Sequence, residues 1–319
     1  MRVTKEMHHR ELQGSYGIMK FSSKLLMNNI GISLLNANSR RAKGKNIEGL
    51  HCEEKYIPSN NGGPDIRVRV FKPLNFSGEL PGMLYIHGGG YMLGNPEEFM
   101  QVIKNFIDAK PCVVVAPDYR KAVDAPYPAA FNDCYDTLLW LNENVKHLHI
   151  IPNKIIVAGH SSGGGLAAAV SLKATDTDEV KIAFQIPVYP MIDDRQNTES
   201  ARDNNSAGWN ANSNKLGWAK YLGDLKEIPP YAAPARAMNY SKLPPTITFV
   251  GDLEPFRDET VNYVNQLQKA GIPVSFKLFN GCYHAFEVLF PQLEISKEAW
   301  SFLLDTYTYY VERYIYETK

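Results

Sequence analysis

The segment Gly159-His160-Ser161-Ser162-Gly163 has the G-x-S-x-G pattern of a serine nucleophile placed on a sharp turn. The apolar run at 155–158 predicts a buried strand before it, and the alanine-rich run that follows predicts a helix. The pentapeptide alone is common by chance, but a strand before it and a helix after it are what such a turn requires. We therefore predict that Ser161 is a nucleophile, with the helix N-terminus directed at its hydroxyl.

A serine hydroxyl needs a base, and in this class of turn the base is a histidine that follows the serine in the chain. His284 is the only histidine after His160. It follows a strand predicted at 274–279, which places it on a loop at the sheet edge where parallel strands end. We predict that His284 is the base, that His160 points away from the reaction, and that His87 braces a glycine loop by hydrogen bonding.

The loop after a strand predicted at 246–250 offers four carboxylates that could orient this histidine: Asp252, Glu254, Asp258 and Glu259. Asp258 and Glu259 begin a predicted helix, where acidic side chains cap the first turn and complement the helix dipole. The Asp252 side chain can stabilise the turn by a hydrogen bond to the backbone of the turn itself. Glu254, held before a proline, is the predicted acid, and Asp252 remains the alternative.

A run of three glycines, Gly88, Gly89 and Gly90, follows a strand predicted at 83–87. No side chain there blocks the approach of a carbonyl oxygen. The backbone N–H groups of the run, with that of Ser162, can converge on the negative oxygen that forms when a serine attacks a carbonyl. These four residues are the predicted oxyanion hole.

Composition excludes several classes of function. The 319-residue chain has 34 basic and 34 acidic residues, so whole-chain charge gives no case for nucleic acid or an anionic membrane as a partner. Its four cysteines lack zinc-like spacing, and Cys112 and Cys134 have the apolar contexts of buried thiols. We expect no metal, no cofactor and no membrane span. The polar N-terminus lacks an apolar signal region, so we expect a cytoplasmic protein.

Strand and helix patterns alternate through most of the chain. This alternation predicts an α/β fold, a mostly parallel central sheet with helices on both faces. Before it, the alternating sequence Ile66-Arg67-Val68-Arg69-Val70 predicts a strand with one face in water. Further strands are predicted at 52–58, 112–116, 155–159 and 182–187, and helices at 14–38, 96–110, 128–145, 162–173, 259–270 and 296–317.

One stretch, 191–243, interrupts the alternation. It lacks strand character and is rich in aromatic residues, namely Trp209, Trp218, Tyr221 and Tyr231. We predict that it joins an N-terminal helical segment, 1–48, as a cap over the edge where α/β sheets bind ligands. The remaining segments, 49–190 and 244–319, would then form the two parts of the core.

Four motifs, in order, resemble those of the hormone-sensitive-lipase-like α/β-hydrolases, which include bacterial carboxylesterases. They are His87-Gly88-Gly89-Gly90, Gly159-His160-Ser161-Ser162-Gly163-Gly164, Glu254-Pro255-Phe256-Arg257-Asp258-Glu259 and Gly281-Cys282-Tyr283-His284-Ala285-Phe286. The resemblance extends from about residue 66 to residue 286. It implies a triad of Ser161, Glu254 and His284, with oxyanion donors Gly89, Gly90 and Ser162 in a loop that Gly88 shapes. It also implies a cap that encloses a pocket lined by the aromatic residues of 191–243.

The chain departs from the family pattern at two positions. The elbow usually reads G-D-S-A-G-G, whereas His160 and Ser162 flank the serine here. The acid motif usually reads Asp-Pro-Leu, whereas Glu254-Pro255-Phe256 stands here. A glutamate can orient a histidine, but its longer side chain moves the loop back, which keeps Asp252 as a rival.

The resemblance and the motifs predict a serine carboxylesterase that acts on small esters of short to medium acyl chains through an acyl-enzyme. An amidase or a sugar deacetylase with the same triad is the alternative enzyme. A non-catalytic small-molecule sensor is the alternative outside enzymes, although such proteins typically lose a member of the triad. We also expect a homodimer through a sheet edge at 274–279, where unpaired backbone groups invite pairing with a second copy.

Overall fold

One eight-stranded sheet forms the centre of the computed structural model, which describes residues 1–317. Its strands are β1 (Leu50–Ile57), β2 (Ile66–Pro73), β3 (Leu80–Ile86), β4 (Val113–Pro117), β5 (Ile150–His160), β6 (Ile182–Val188), β7 (Thr246–Gly251) and β8 (Val274–Phe279). Their order across the sheet is β1-β2-β4-β3-β5-β6-β7-β8. Strand β2 is antiparallel to both of its neighbours, and the other pairs are parallel.

The helices lie mostly between the strands in the chain. They are α1 (Tyr16–Leu26), α2 (Asn29–Ser39), α3 (Met100–Ala109), α4 (Ala129–Glu143), α5 (Val145–Leu148), α6 (Ser162–Thr177), α7 (Ala211–Leu222), α8 (Arg257–Lys269), α9 (Phe286–Leu289) and α10 (Glu294–Val311). A 3-10 turn at Pro96–Phe99 precedes α3, and α10 continues into a π-helical turn at Glu312–Tyr316. Within residues 1–317, no helix is long and apolar enough to cross a membrane.

The sheet is covered on both faces. Successive side chains of a strand point to opposite faces, and every residue of β3, β4 and β7 is buried. Helices α3 and α10 contact each other and the sheet, and α4 and α6 form a second such pair. The predicted fold class, a mostly parallel sheet with helices on both faces, is confirmed.

The strand at residues 66–73 corrects one prediction. Its alternating pattern predicted a face in water, but Arg67 is 9% exposed and Arg69 only 1%. The carboxylate of Glu97 receives hydrogen bonds from both guanidinium groups, at 2.7 Å from Arg69 Nη1 to Oε1. Burial alone would raise the pKa of Glu97, but the hydrogen bonds from Arg67 and the Gly44 N–H hold it below its usual range. The acidic partner is distant in sequence, so the local pattern could not reveal it.

Residues 1–48 and 191–243 both lie outside the sheet, and they contact each other. The backbone N–H of Val3 donates to Asn205 Oδ1 at 2.6 Å. Their division from the core segments 49–190 and 244–319 stays a prediction, and residues 318 and 319 lie outside the described part of the chain. Strand β8 is the last strand of the sheet, as the dimer prediction requires, but pairing with a second copy also stays a prediction.

We expect Glu97→Ala to destabilise the protein by about 3–5 kcal/mol, because Arg69 loses its carboxylate partner and Arg67 loses the most buried of three, the others being Glu54 and Asp118. Urea unfolding measures this free energy. Glu54→Ala is the matched control, since Glu54 also pairs with Arg67 but its side chain is 39% exposed. Its loss should cost less than about 1 kcal/mol. Equal losses for the two variants would contradict the assignment of Glu97 as the central partner.

Candidate active site

The turn between β5 and α6 places Ser161 at the predicted position. Ser161 has φ 59° and ψ −122°, a conformation that side-chain-bearing residues rarely adopt. The surrounding backbone leaves no room for larger residues, because a Cβ on Gly163 would lie 2.1 Å from the carbonyl oxygen of Ile86. The serine therefore stands on a strained turn, 8% exposed, immediately before the N-terminus of α6.

The structure brings Ser161, His284 and Glu254 into one hydrogen-bonded chain. Ser161 Oγ lies 2.8 Å from His284 Nε2, and His284 Nδ1 bonds to Glu254 Oε2. The other carboxylate oxygen, Oε1, accepts a hydrogen bond from the Gly251 N–H at 2.9 Å. Because a carboxylate only accepts, Nδ1 carries the imidazole proton and Nε2 is free to accept the serine proton. This arrangement gives the hydroxyl a base and fixes the orientation of that base.

The other acidic candidates bond elsewhere. Asp252 Oδ1 accepts the N–H of Gly281 at 2.7 Å and so ties two loops together, and burial raises the pKa of Asp252. The remaining two bond to the segment 191–243, Asp258 to the N–H of Ser200 at 2.7 Å and Glu259 to the N–H of Ile192 at 3.0 Å. Within residues 1–317, no three His, Cys, Asp or Glu side chains are grouped to hold a metal ion.

The glycine loop lies against Ser161. A Cβ on Gly88 would lie 3.3 Å from the Cβ of Ser161, so a side chain there would crowd the serine. Gly89 and Gly90 have φ of 128° and 60°. Within residues 1–317, their N–H groups donate to no protein acceptor. As the first residue of α6, Ser162 also has an N–H without an intrahelical partner. The N–H groups of the glycine loop and of Ser162 are therefore available to stabilise the negative oxygen that would form if Ser161 attacked a carbonyl.

The other two histidines of these motifs, His87 and His160, make hydrogen bonds within the fold. His87 Nδ1 donates to the Gly88 carbonyl at 2.8 Å, and the ring stacks on Tyr119, as the bracing role predicts. His160 is buried and bonds to the Tyr85 hydroxyl at 3.0 Å through Nδ1. Burial and the nearby His284 lower the pKa of His160 to about 3, so its ring is neutral at ordinary pH.

Sequence reasoning missed the side chains that hold the His284 ring. Tyr189 and Phe256 present T-shaped contacts to it, with ring centroids 4.7 and 4.9 Å away. Beneath them, the Tyr189 hydroxyl donates to the buried carboxyl of Glu287, and burial raises the pKa of Glu287 to about 8. Glu287 directly follows the histidine motif, but nothing in the sequence marks it as buried.

The aromatic residues of 191–243 occupy different places. Trp209 approaches the site, with its ring centroid 6.5 Å from that of His284. It packs on the glycine loop, since a Cβ on Gly90 would lie 2.1 Å from its ring. The other three pack against core rings, Trp218 and Tyr221 with Tyr91, and Tyr231 with Phe131. That all four line one pocket stays a prediction.

We expect Glu287→Gln to gain stability relative to the original chain as pH rises. The folded protein keeps a proton on Glu287 up to pH about 8, whereas the unfolded chain releases it near the ordinary pKa of 4.5. Between these values the unfolded state binds fewer protons. The free energy of unfolding therefore falls with rising pH, by up to about 1.4 kcal/mol per unit. The uncharged amide removes this loss.

Urea unfolding of both proteins between about pH 5 and pH 8 measures the difference. The exposed Glu294→Gln is the control and should follow the original chain across this range, since its side chain is 77% exposed. Parallel pH curves for the original chain and Glu287→Gln would contradict the buried, protonated carboxyl.

Comparisons with known proteins agree with this geometry. The family model described as alpha/beta hydrolase fold matches residues 83–288. Esterase LipI of Mycobacterium tuberculosis is 32% identical over 232 residues, which cover 70% of this chain and 72% of the relative. An AB hydrolase superfamily protein of Schizosaccharomyces pombe is 30% identical over 280 residues, 82% of this chain and 80% of the relative.

Solved structures extend the likeness over nearly the whole chain. A bacterial heroin esterase superposes with a TM-score of 0.87 at 29% identity, covering 97% of this chain and 99% of its own. A thermostable esterase from Pseudomonas putida superposes with a TM-score of 0.79 at 27% identity, covering 91% and 90%. The family match spans more than half of the sequence and contains Ser161, Glu254 and His284. The chain therefore belongs to the alpha/beta hydrolase fold family.

Proposed function

We propose that this protein is a serine carboxylesterase. The observation that carries the proposal is the hydrogen-bonded chain from Ser161 through His284 to Glu254, next to a glycine loop with free N–H groups. Relatives named as esterases, among them LipI, support an ester as the substrate.

In the proposed mechanism, His284 Nε2 accepts the hydroxyl proton as Ser161 Oγ attacks the ester carbonyl carbon. The carbonyl oxygen becomes an oxyanion, which the N–H groups of Gly89, Gly90 and Ser162 stabilise, while Gly88 lets the loop lie close. Glu254 holds the ring in the required tautomer and stabilises the imidazolium that forms.

The tetrahedral intermediate then collapses. Its C–O bond to the leaving group breaks, and His284 returns its proton to the departing alkoxide, so an alcohol leaves and an acyl-serine remains. A water molecule takes the place of the alcohol, gives a proton to His284 Nε2 and attacks the acyl carbon. The bond between the acyl carbon and Ser161 Oγ then breaks, and His284 returns its proton to Oγ. Release of the carboxylic acid completes a ping-pong cycle.

We further propose that residues 1–48 and 191–243 act together as a cap that restricts the substrate to small esters with short to medium acyl chains. Trp209 supports this, since it packs on Gly90 at the glycine loop. The two segments meet there, because a Cβ on Gly208 would lie 3.6 Å from Met19 and 4.0 Å from the His284 carbonyl oxygen. The nucleophile beneath is only 8% exposed.

We expect hydrolysis of p-nitrophenyl esters that is fastest for short acyl chains in a series from acetate to laurate. Ser161→Ala should lower kcat by about 10⁴-fold or more, because no other nucleophile forms the acyl-enzyme. Initial rates at 400 nm measure both. A folded original chain that hydrolyses no ester in the series would contradict the esterase proposal, as would full activity in Ser161→Ala.

The two candidate acids are distinguished by a matched pair of amide substitutions. Glu254→Gln should lower kcat by about 10³–10⁴-fold, because the histidine loses the carboxylate that fixes its tautomer. Asp252→Asn keeps an oxygen that can accept the Gly281 N–H, so it should change kcat by less than about tenfold. The reverse ranking, with both variants folded by circular dichroism, would make Asp252 the acid.

A further inference from the structure

Two helices near the N-terminus expose apolar side chains where soluble helices usually place polar ones. Ile18, Phe21 and Leu25 lie on one side of α1, and Ile30 and Leu34 lie on one side of α2. Each of the five is between 59% and 75% exposed. Their spacings of three or four residues place each set on a single helix face. We call these five residues the outer face of α1–α2.

The outer face does not result from poorly seated helices. Asn28 caps α2, its side chain accepting the N–H groups of Ile30 and Gly31 at 3.1 Å each. A Cβ on Gly31 would lie 2.3 Å from the carbonyl oxygen of Leu26, so the two helices are in direct backbone contact. On its inner side α1 buries a polar residue, Ser23. Helix α2 is also bonded to the core, since Asn36 Nδ2 donates to the Met92 carbonyl oxygen at 3.0 Å, and the apolar residues remain outside.

The segment that carries the outer face is strongly basic. Residues 1–48 contain nine basic and three acidic residues, a net charge of +6, which the rest of the chain balances with −6. Lys24 is exposed next to Leu25, and Arg40 and Arg41 are exposed directly after α2. The neutral charge of the whole chain therefore conceals a basic region. The prediction that an anionic membrane has no electrostatic basis depended on that whole-chain value.

The exposed apolar side chains and the basic charge together indicate what binds the outer face. Paired copies related by a two-fold axis would bring the same surface of each together, so two basic segments would oppose each other. An anionic lipid surface instead satisfies both properties, because apolar side chains enter the interface while basic ones bind the headgroups. We propose that the outer face of α1–α2 docks on an anionic lipid surface, with the helices lying in the plane of the interface.

This docking would orient the rest of the molecule. On its inner side α1 borders residues that lie over the active site, because Met19 lies near Gly208, and the next residue, Trp209, packs on Gly90. A groove of about 310 Å³ lies between α1 and residues 204–213, with Lys20, Ser23, Lys24 and Asn204 among its lining. The covered side of the site would thus face the lipid. The docking itself does not depend on the proposed esterase activity.

Vesicle co-sedimentation of the full chain tests the proposal. We expect binding at least about tenfold tighter to phosphatidylcholine vesicles with about a quarter phosphatidylglycerol than to phosphatidylcholine alone. About 0.5 M NaCl should weaken this binding several-fold, because salt screens exposed charges. The double substitution Phe21→Ser with Leu25→Ser should weaken it at least about tenfold, with melting temperature and p-nitrophenyl acetate hydrolysis unchanged.

Matched controls test whether binding depends on the outer face rather than on exposed apolar or basic side chains in general. Met238→Ser removes an apolar residue that is 96% exposed elsewhere, and it should leave binding unchanged. Lys24→Glu should weaken binding to the anionic vesicles, whereas Lys226→Glu, exposed outside residues 1–48, should not. Binding equal for both vesicle types, absent from both, or equally sensitive to Met238→Ser would overturn the proposal. A dimer in light scattering that Phe21→Ser with Leu25→Ser dissociates would also overturn it, since a second copy would then be the occupant.

Discussion

The contact between α6 and the end of β3 is the constraint on which the rest of the site depends. A Cβ on Gly163 would lie 2.1 Å from the Ile86 carbonyl oxygen and 2.5 Å from that of His87, so only glycine allows this approach. The same contact fixes the strained turn at Ser161 against the chain that leads into Gly88. Ser161 and the glycine loop are therefore positioned by backbone, which cannot change rotamer as a side chain can.

The histidine is held by different means, through loops that follow two neighbouring strands. Glu254 follows β7 and His284 follows β8, and these strands pair in parallel, so the two loops emerge at the same sheet edge. Asp252 ties them together through the Gly281 N–H, and Tyr189 and Phe256 present ring contacts to the imidazole. Glu254 and His284 are 30 residues apart in the sequence, but these contacts hold both side chains in place.

Two buried glutamates of this protein have pKa values shifted in opposite directions, because their partners differ. Glu97 meets two guanidinium groups and a backbone N–H, which hold its pKa below the usual range despite burial. Glu287 meets only the Tyr189 hydroxyl and backbone groups, so burial dominates and its pKa rises to about 8. The Glu97 carboxylate joins β2 to the turn before α3. The Glu287 carboxyl accepts a hydrogen bond from Tyr189, whose ring contacts His284.

The fold class and the identities of the active-site candidates could be predicted from the sequence, because strand and helix periodicity and short glycine motifs are local properties. Local patterns could not rank Glu254 against Asp252 by geometry, place Arg67 and Arg69 inside, or show which rings the aromatic residues of 191–243 contact. Those outcomes depend on which distant groups meet, such as Glu97 with β2 and Tyr91 with Tyr221. Such contacts follow from the three-dimensional packing, because burial and hydrogen-bond partners depend on segments that are far apart in the chain.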